Sequence, residues 1–234
     1  MSARAAATRA PREAPRGARR LRLETAALCT AFLVGASSSI DPTETTTVFL
    51  LSPARLGGRR GTMLTREGAD FELARQLRSP EGAPLGAVFS FVSGLYFRGK
   101  EAYARAFGRA RAGLPSAHVL TAGGGLCLLD ERVTLARLNG WARVTIHQDN
   151  PHFTAPLMRH AAGLLEAHEP STRFVLLGSV ATHKYVQPLL EVFGDRLLFP
   201  GAFEGRGDMT RGSLLLRAVR EGRELEYAPL GARV

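Results

Sequence analysis

From Thr46 onward the chain alternates short apolar runs with stretches whose apolar residues recur every three or four positions. Thr47–Leu51 (TVFLL) is β-branched and apolar and stops at Ser52-Pro53, which predicts a buried strand. Ala87–Val92 (AVFSFV), Ala117–Thr121, Arg143–His147, Arg173–Leu177, Leu197–Phe199 and Glu224–Ala228 read as further strands. Helical spacing falls between them. Arg66–Leu77 carries apolar residues at 69, 73, 74 and 77, and Glu101–Arg111 sets Tyr103, Ala106, Phe107 and Ala110 on one stripe before Gly113 and Pro115 stop it. Val133–Trp141 reads as a short helix or turn, and Thr154–Ala167 as a helix with Pro156 in its first turn. Val186, Leu189, Leu190 and Phe193 give a helix that ends at Gly194; Met209–Arg220 gives another that ends by Gly222. Residues 89–108 and 174–194 share an apolar run, a Ser/Gly pair, a lone Lys and a helix closing on Phe-Gly, the outline of two strand–helix units.

Repeated strand–helix alternation predicts a single α/β domain over residues 46–230, a three-layer fold with a largely parallel sheet and helices on both faces. The 234 residues, 45% hydrophobic and 22% charged, are enough for one full core. Residues 1–45 read differently. The first 20 are Ala, Arg and Pro with almost no large apolar side chain, and they predict a disordered basic leader. Arg19-Arg20, the apolar run Ala26–Ala36 and then Ser37–Ser39 follow the order of a signal peptide, but Glu24 interrupts it and the run is too short to span a bilayer. The expectation is a cytoplasmic protein with no membrane segment, a signal peptide at 19–39 being the alternative.

The net charge of +10 suggests a nucleic-acid or membrane partner until it is divided along the chain. Residues 1–24 hold seven arginines against Glu13 and Glu24, a surplus of five, so the other 210 residues carry only the remaining five. Cys29 and Cys127 are the only cysteines and have no Cys-x-x-Cys spacing, which argues against a zinc or dithiol motif. Cys127 lies in the apolar run Leu126–Leu129 and reads as a buried thiol. No metal is predicted, and no cofactor is indicated: Gly123-Gly124-Gly125 does not match the dinucleotide fingerprint, and no phosphate loop ending Gly-Lys-Ser/Thr occurs.

In open α/β sheets ligands sit where strand ends lead into helix N-termini. Four segments fit: 93–100, 121–125, 178–184 and 205–212. The third gathers Ser179, Thr182, His183 and Lys184, groups suited to a phosphate or carboxylate, or else to capping and solvation. In the fourth, Arg206 and Arg211 suit an oxyanion, and Asp208 is either an N-cap or a general base. Ser93 and Lys100 belong to the first. Both lysines of the chain, Lys100 and Lys184, fall in such segments, where a compact ammonium serves better than a planar guanidinium. The ligand-binding set is therefore Ser93, Lys100, Ser179, Thr182, Lys184, Arg206 and Arg211, with Asp208 and His183 as the catalytic pair.

LLSPA (50–54), FSFxSGLYFRGKxAYA (89–104), GSxATxKYVxPLLxxFG (178–194) and FxGRGDMxRGxLLLR (203–217) resemble the shared motifs of an uncharacterised bacterial family. More distantly, LLSPA, the aromatic-Arg-x-Lys-x-Tyr-Ala helix and the Gly-Leu loop are similar to the peroxide-stress-response protein family and its nucleic-acid-modification relatives. That group tends to carry a basic or aromatic residue before Gly-Leu, where this chain has Ala122-Gly123-Gly124-Gly125-Leu126. Loops and resemblance together imply an α/β protein that binds a phosphate-bearing ligand, a nucleotide or nucleic-acid component, with N-glycosidic or related hydrolysis as its chemistry. The alternative is a non-catalytic nucleic-acid-binding protein that grips through the Arg-rich leader.

Overall fold

A computed structural model describes residues 45–180 and 183–231, the side chain of His183 excepted. The expected leader, Cys29 and Thr182 lie outside the described residues. The first strand, β1 (Thr47–Leu51), is buried at every position, as its unbroken apolar run requires of a strand covered on both faces. It pairs in parallel with β3 (Ala117–Thr121) on one side and β6 (Arg173–Leu177) on the other. β7 (Leu197–Pro200) extends the sheet in parallel beyond β6. Antiparallel strands close both edges: β4 (Gly125–Leu128) on β3 and β8 (Tyr227–Pro229) on β7, giving the order β4-β3-β1-β6-β7-β8. A separate two-residue ladder joins β2 (Ala83–Pro84) to β5 (Arg132–Val133).

The period-2 alternation of the strands divides the core. Phe49, Leu51, Val119, Val175 and Leu177 face one layer of helices: α1 (Arg59–Thr65), α2 (Glu72–Arg78), α3 (Leu85–Ser93), α4 (Leu95–Phe107), α5 (Leu135–Ala142) and α8 (Asp208–Glu221). Val48, Leu50, Leu120, Phe174 and Leu176 face the other layer, α6 (Pro151–Ala167) and α7 (His183–Phe193). The three-layer α/β architecture is thus the one the alternation predicts. All described residues fall in one compact unit, and none of their helices is long and apolar enough to cross a membrane.

Two predicted strands are absent. AVFSFV lies inside α3: a run apolar at every position but Ser90 has no clear period with which to distinguish a strand from a helix buried on most sides, and Leu85, Gly86, Val88 and Phe89 are all covered. Gly94 (φ 67°, ψ −128°), in a region that only glycine adopts readily, ends α3 and starts α4 six residues before the expected Glu101. Residues 89–108 are therefore helix–glycine–helix and no counterpart of the strand–helix unit at 174–194. Arg143–His147 is irregular, and α6 begins at Pro151 behind an Asn150 cap that accepts from the His152 N–H.

The layer on the Phe49 face is fastened by a glycine contact between α4 and α8. A Cβ on Gly99 would stand 2.8 Å from the Gly212 carbonyl oxygen, and one on Gly212 would stand 2.9 Å from the Tyr96 Cα. Backbone meets backbone there. Gly99→Ala or Gly212→Ala is expected to destabilise the fold by about 1–3 kcal/mol through overpacking. Gly163→Ala, with open space around it on α6, should instead stabilise by up to about 1 kcal/mol. Urea titration of the three variants checks the order.

Candidate functional site

The chain leaves β1, reaches β3 on one side, then returns to the other side of β1 as β6, so the strand order reverses at the β1/β6 pair. Such a reversal opens a crevice at the carboxyl ends of the two strands. Ser52 follows β1 there, and Gly178-Ser179 follows β6. Gly178 is needed for close approach: a Cβ on it would lie 2.8 Å from the Ser52 Cβ and 3.2 Å from the Tyr185 hydroxyl. That hydroxyl donates to the Ser179 carbonyl at 2.9 Å. The opposite wall comes from α4 and α8, whose glycine crossing brings Tyr96 and Lys100 toward Asp208 and Arg211. Together they enclose a cavity of about 280 Å³, lined by Ser52, Ser93, Tyr96, Lys100, Ser179, Tyr185 and Asp208 among others.

Lys100 is the unusual group in this wall. It is 1% exposed, and its Nζ donates to the Ser52 carbonyl at 2.7 Å and the Ser52 Oγ at 2.9 Å. The nitrogen also sits 4.4 Å from the Tyr96 ring centre and 4.9 Å from that of Phe97. No carboxylate forms an ion pair with it among the described residues. Burial pushes its pKa down from 10.5 to about 7; Asp208 opposes that shift and Arg211 adds to it. Arg211 is itself nearly buried, donates from Nε to the Phe203 carbonyl at 3.2 Å, and holds Nη1 3.6 Å from the exposed Asp208 carboxylate. The Tyr96 hydroxyl is buried without a hydrogen-bond partner among the described residues, and burial raises its pKa and that of Tyr185 above the usual phenol value.

A second cavity, of about 410 Å³, adjoins the first at the carboxyl ends of β1 and β3 and shares Pro53 and Arg55 with it. Its walls are mostly apolar, with Phe89, Ala122, Trp141, Val144 and Ile146, and Asn139 at the exposed side. The triple glycine finds its reason here. Cβ atoms on Gly123 and Gly124 would stand 2.9 and 2.6 Å from the Trp141 indole, so these two residues must lack side chains for the ring to seat. Gly125 (φ 67°) turns the chain into β4 against the Pro156 carbonyl. Cys127 follows on β4 as a buried free thiol whose pKa burial raises to about 11.

Of the residues singled out in the sequence, Ser93, Lys100, Ser179 and Asp208 line the first cavity, and Arg211 stands next to Asp208. Lys184 is exposed in the first turn of α7, and Arg206 is exposed and donates to the Ala202 carbonyl; neither lines this cavity. His183 opens α7, its side chain undescribed. Gly207, not Asp208, is the N-cap of α8, so the carboxylate is not spent on capping. Ser52, Arg55, Tyr96, Tyr185 and Trp141 were not singled out. The first four lie within or beside the LLSPA, SGLYFRGK and KYV segments, and those motifs are the signal that pointed at them. Compared with family models, curated proteins and solved structures, the chain matches none.

Proposed function

We propose that this chain binds a phosphate-bearing ligand of nucleotide type across the two adjoining cavities at the carboxyl edge of its sheet. The observation that carries the reading is their pairing: a polar chamber and an apolar, indole-walled chamber meeting at Pro53 and Arg55. A sugar phosphate suits the first and a planar base the second. Charge supports the polar half. Arg55, exposed and in no ion pair among the described residues, joins Arg211 against the single carboxylate of Asp208, with Lys100 as a further hydrogen-bond donor in the wall. The first residue of α8 also lines this chamber, which puts the positive end of that helix's dipole beside it. Lys100 and the solvent-facing Asp208 are the proton-handling groups that N-glycosidic hydrolysis would use.

Trp141 is the only tryptophan, so its fluorescence reports on the apolar chamber directly. Purine and pyrimidine nucleoside monophosphates are expected to quench it and, at a hundredfold excess over Kd, to stabilise the fold by about 2.7 kcal/mol, or roughly 5–10 °C in Tm. Ribose 5-phosphate should raise Tm without quenching. If no nucleotide, nucleoside or sugar phosphate changes either signal, the reading is wrong, and retained nucleic-acid binding that disappears on removal of residues 1–40 would move the function to the leader.

A further inference from the structure

Lys100 is one of two lysines in the chain, and the two are placed very differently: Lys184 is exposed, whereas Lys100 is fully buried in a cavity wall. An ammonium has three hydrogens to place, and Lys100 has two acceptors, both on Ser52. A neutral amine has two N–H groups and a lone pair. Ser52 therefore takes up both N–H groups of the neutral form and leaves its lone pair free, whereas one hydrogen of the charged form has only the ring faces to meet. The groups that face this nitrogen are the Tyr96 and Phe97 rings on its own helix, Ser52 after β1, Tyr185 across the cavity, and Asp208 and Arg211 on α8. Burial and a nearby guanidinium favour loss of the proton, as in lysines that act as nucleophiles, and outweigh the ring faces and Asp208, which favour keeping it. With its pKa held near 7, a large share is free amine at neutral pH.

We propose that Lys100 is an amine nucleophile and that its chamber takes a ligand carrying an aldehyde or ketone carbon beside an anionic group. The Nζ lone pair forms a bond to the carbonyl carbon, and the carbonyl π pair moves to oxygen, which receives the proton released by nitrogen. The carbinolamine C–O bond then breaks while the nitrogen lone pair closes the C=N bond, and the departing oxygen takes the second proton from that nitrogen and leaves as water. Amine and carbonyl become imine and water, with no change of oxidation state. The Tyr96 hydroxyl, buried in the same wall with no acceptor of its own, is the donor that positions the departing oxygen. The anionic half of this description rests on the phosphate reading; the amine half does not.

The test is reductive trapping of the full chain at pH 7 with cyanoborohydride and either glyceraldehyde 3-phosphate or glyceraldehyde, followed by digestion and mass spectrometry of the two lysine peptides. Lys100 should be labelled at least tenfold faster than Lys184, and the phosphate should accelerate labelling at Lys100 alone. Raising the pH from 7 to 9 should speed Lys100 by no more than about twofold, and Tyr96→Phe should slow Lys100 while leaving Lys184 unchanged. Equal labelling of the two lysines, or labelling of Lys184 only, overturns the proposal. Should glyceraldehyde label Lys100 as fast as its phosphate does, the amine stands and the phosphate reading falls. Nucleotide binding with no label on Lys100 does the reverse: the amine falls and the phosphate reading stands.

Discussion

Lys100→Met is expected to be more stable than the parent chain at pH 7, by about 2–3 kcal/mol, with the difference shrinking as the pH rises and reversing to a cost of about 1–3 kcal/mol by pH 10.5. In the unfolded chain this lysine titrates near 10.5, and in the folded one near 7. Between those values the unfolded state holds a proton that the folded state lacks, so the parent's stability rises with pH through that window. Below pH 7 the whole deficit is present: about 3.5 units at roughly 1.4 kcal/mol each, or on the order of 4–5 kcal/mol. Methionine keeps the contacts with Tyr96 and Phe97 but leaves the Ser52 carbonyl without its donor, which returns about 1–3 kcal/mol. Urea titrations of both chains at pH 6.5, 8 and 9.5 measure this. A gap that stays constant with pH would mean that the lysine is not held in its neutral form.

Acid should destabilise the parent chain by a route that His118→Phe removes. His118, on β3, is buried with its Nε2 unpartnered, and it lines a mostly apolar cavity of about 290 Å³ together with His160 and His168. Burial first, and then the neighbouring His168 and His160, push its pKa down from 6.5 to about 4, against a bond to Pro115 that favours the charged form. The unfolded chain therefore takes up a proton between pH 6.5 and 4 that the folded chain refuses, and stability falls as the pH drops through that interval. About 2.5 units correspond to roughly 3 kcal/mol, a large share of an ordinary domain's stability. Phenylalanine keeps the ring in this apolar setting and cannot take up the proton, so the variant should lose far less between pH 6.5 and 4. Parallel acid slopes for the two chains would assign the loss to carboxylates instead.

Much of the architecture was legible in the chain because burial and period agree. TVFLL and RFVLL are apolar at nearly every position, short and β-branched or aromatic, which suits a strand covered on both faces, and they are the two central strands. The helix over 208–221 ends where Gly222 adopts a left-handed turn (φ 62°), as its place after the last periodic residue predicts. AVFSFV failed because a short run that is apolar at all but one position looks the same in a central strand and in a helix packed on most sides, and its length and residue types favour the strand. The edge strand β4 was read only as an apolar stretch. Whether such a stretch pairs depends on a neighbour, here β3, and pairing is a long-range fact.

The candidate site divides along the same line. Residue chemistry alone marked Ser93, Lys100, Ser179, Asp208 and Arg211, because small, hydroxylic and charged groups between periodic segments are visible without coordinates. It could not tell Lys100 from Lys184, both lone lysines in similar loops by sequence. The difference lies in burial, which arises because Gly99 and Gly212 let α4 and α8 touch and so draw Lys100 under Tyr96 and against Ser52. By itself, then, the sequence determined the layers, the central strands and a pool of polar residues, since these follow from period and composition. Only the tertiary structure decided which of them share a chamber and which cation is stripped of water, because strand order and helix crossing join residues that stand 48 positions apart in the Ser52–Lys100 pair.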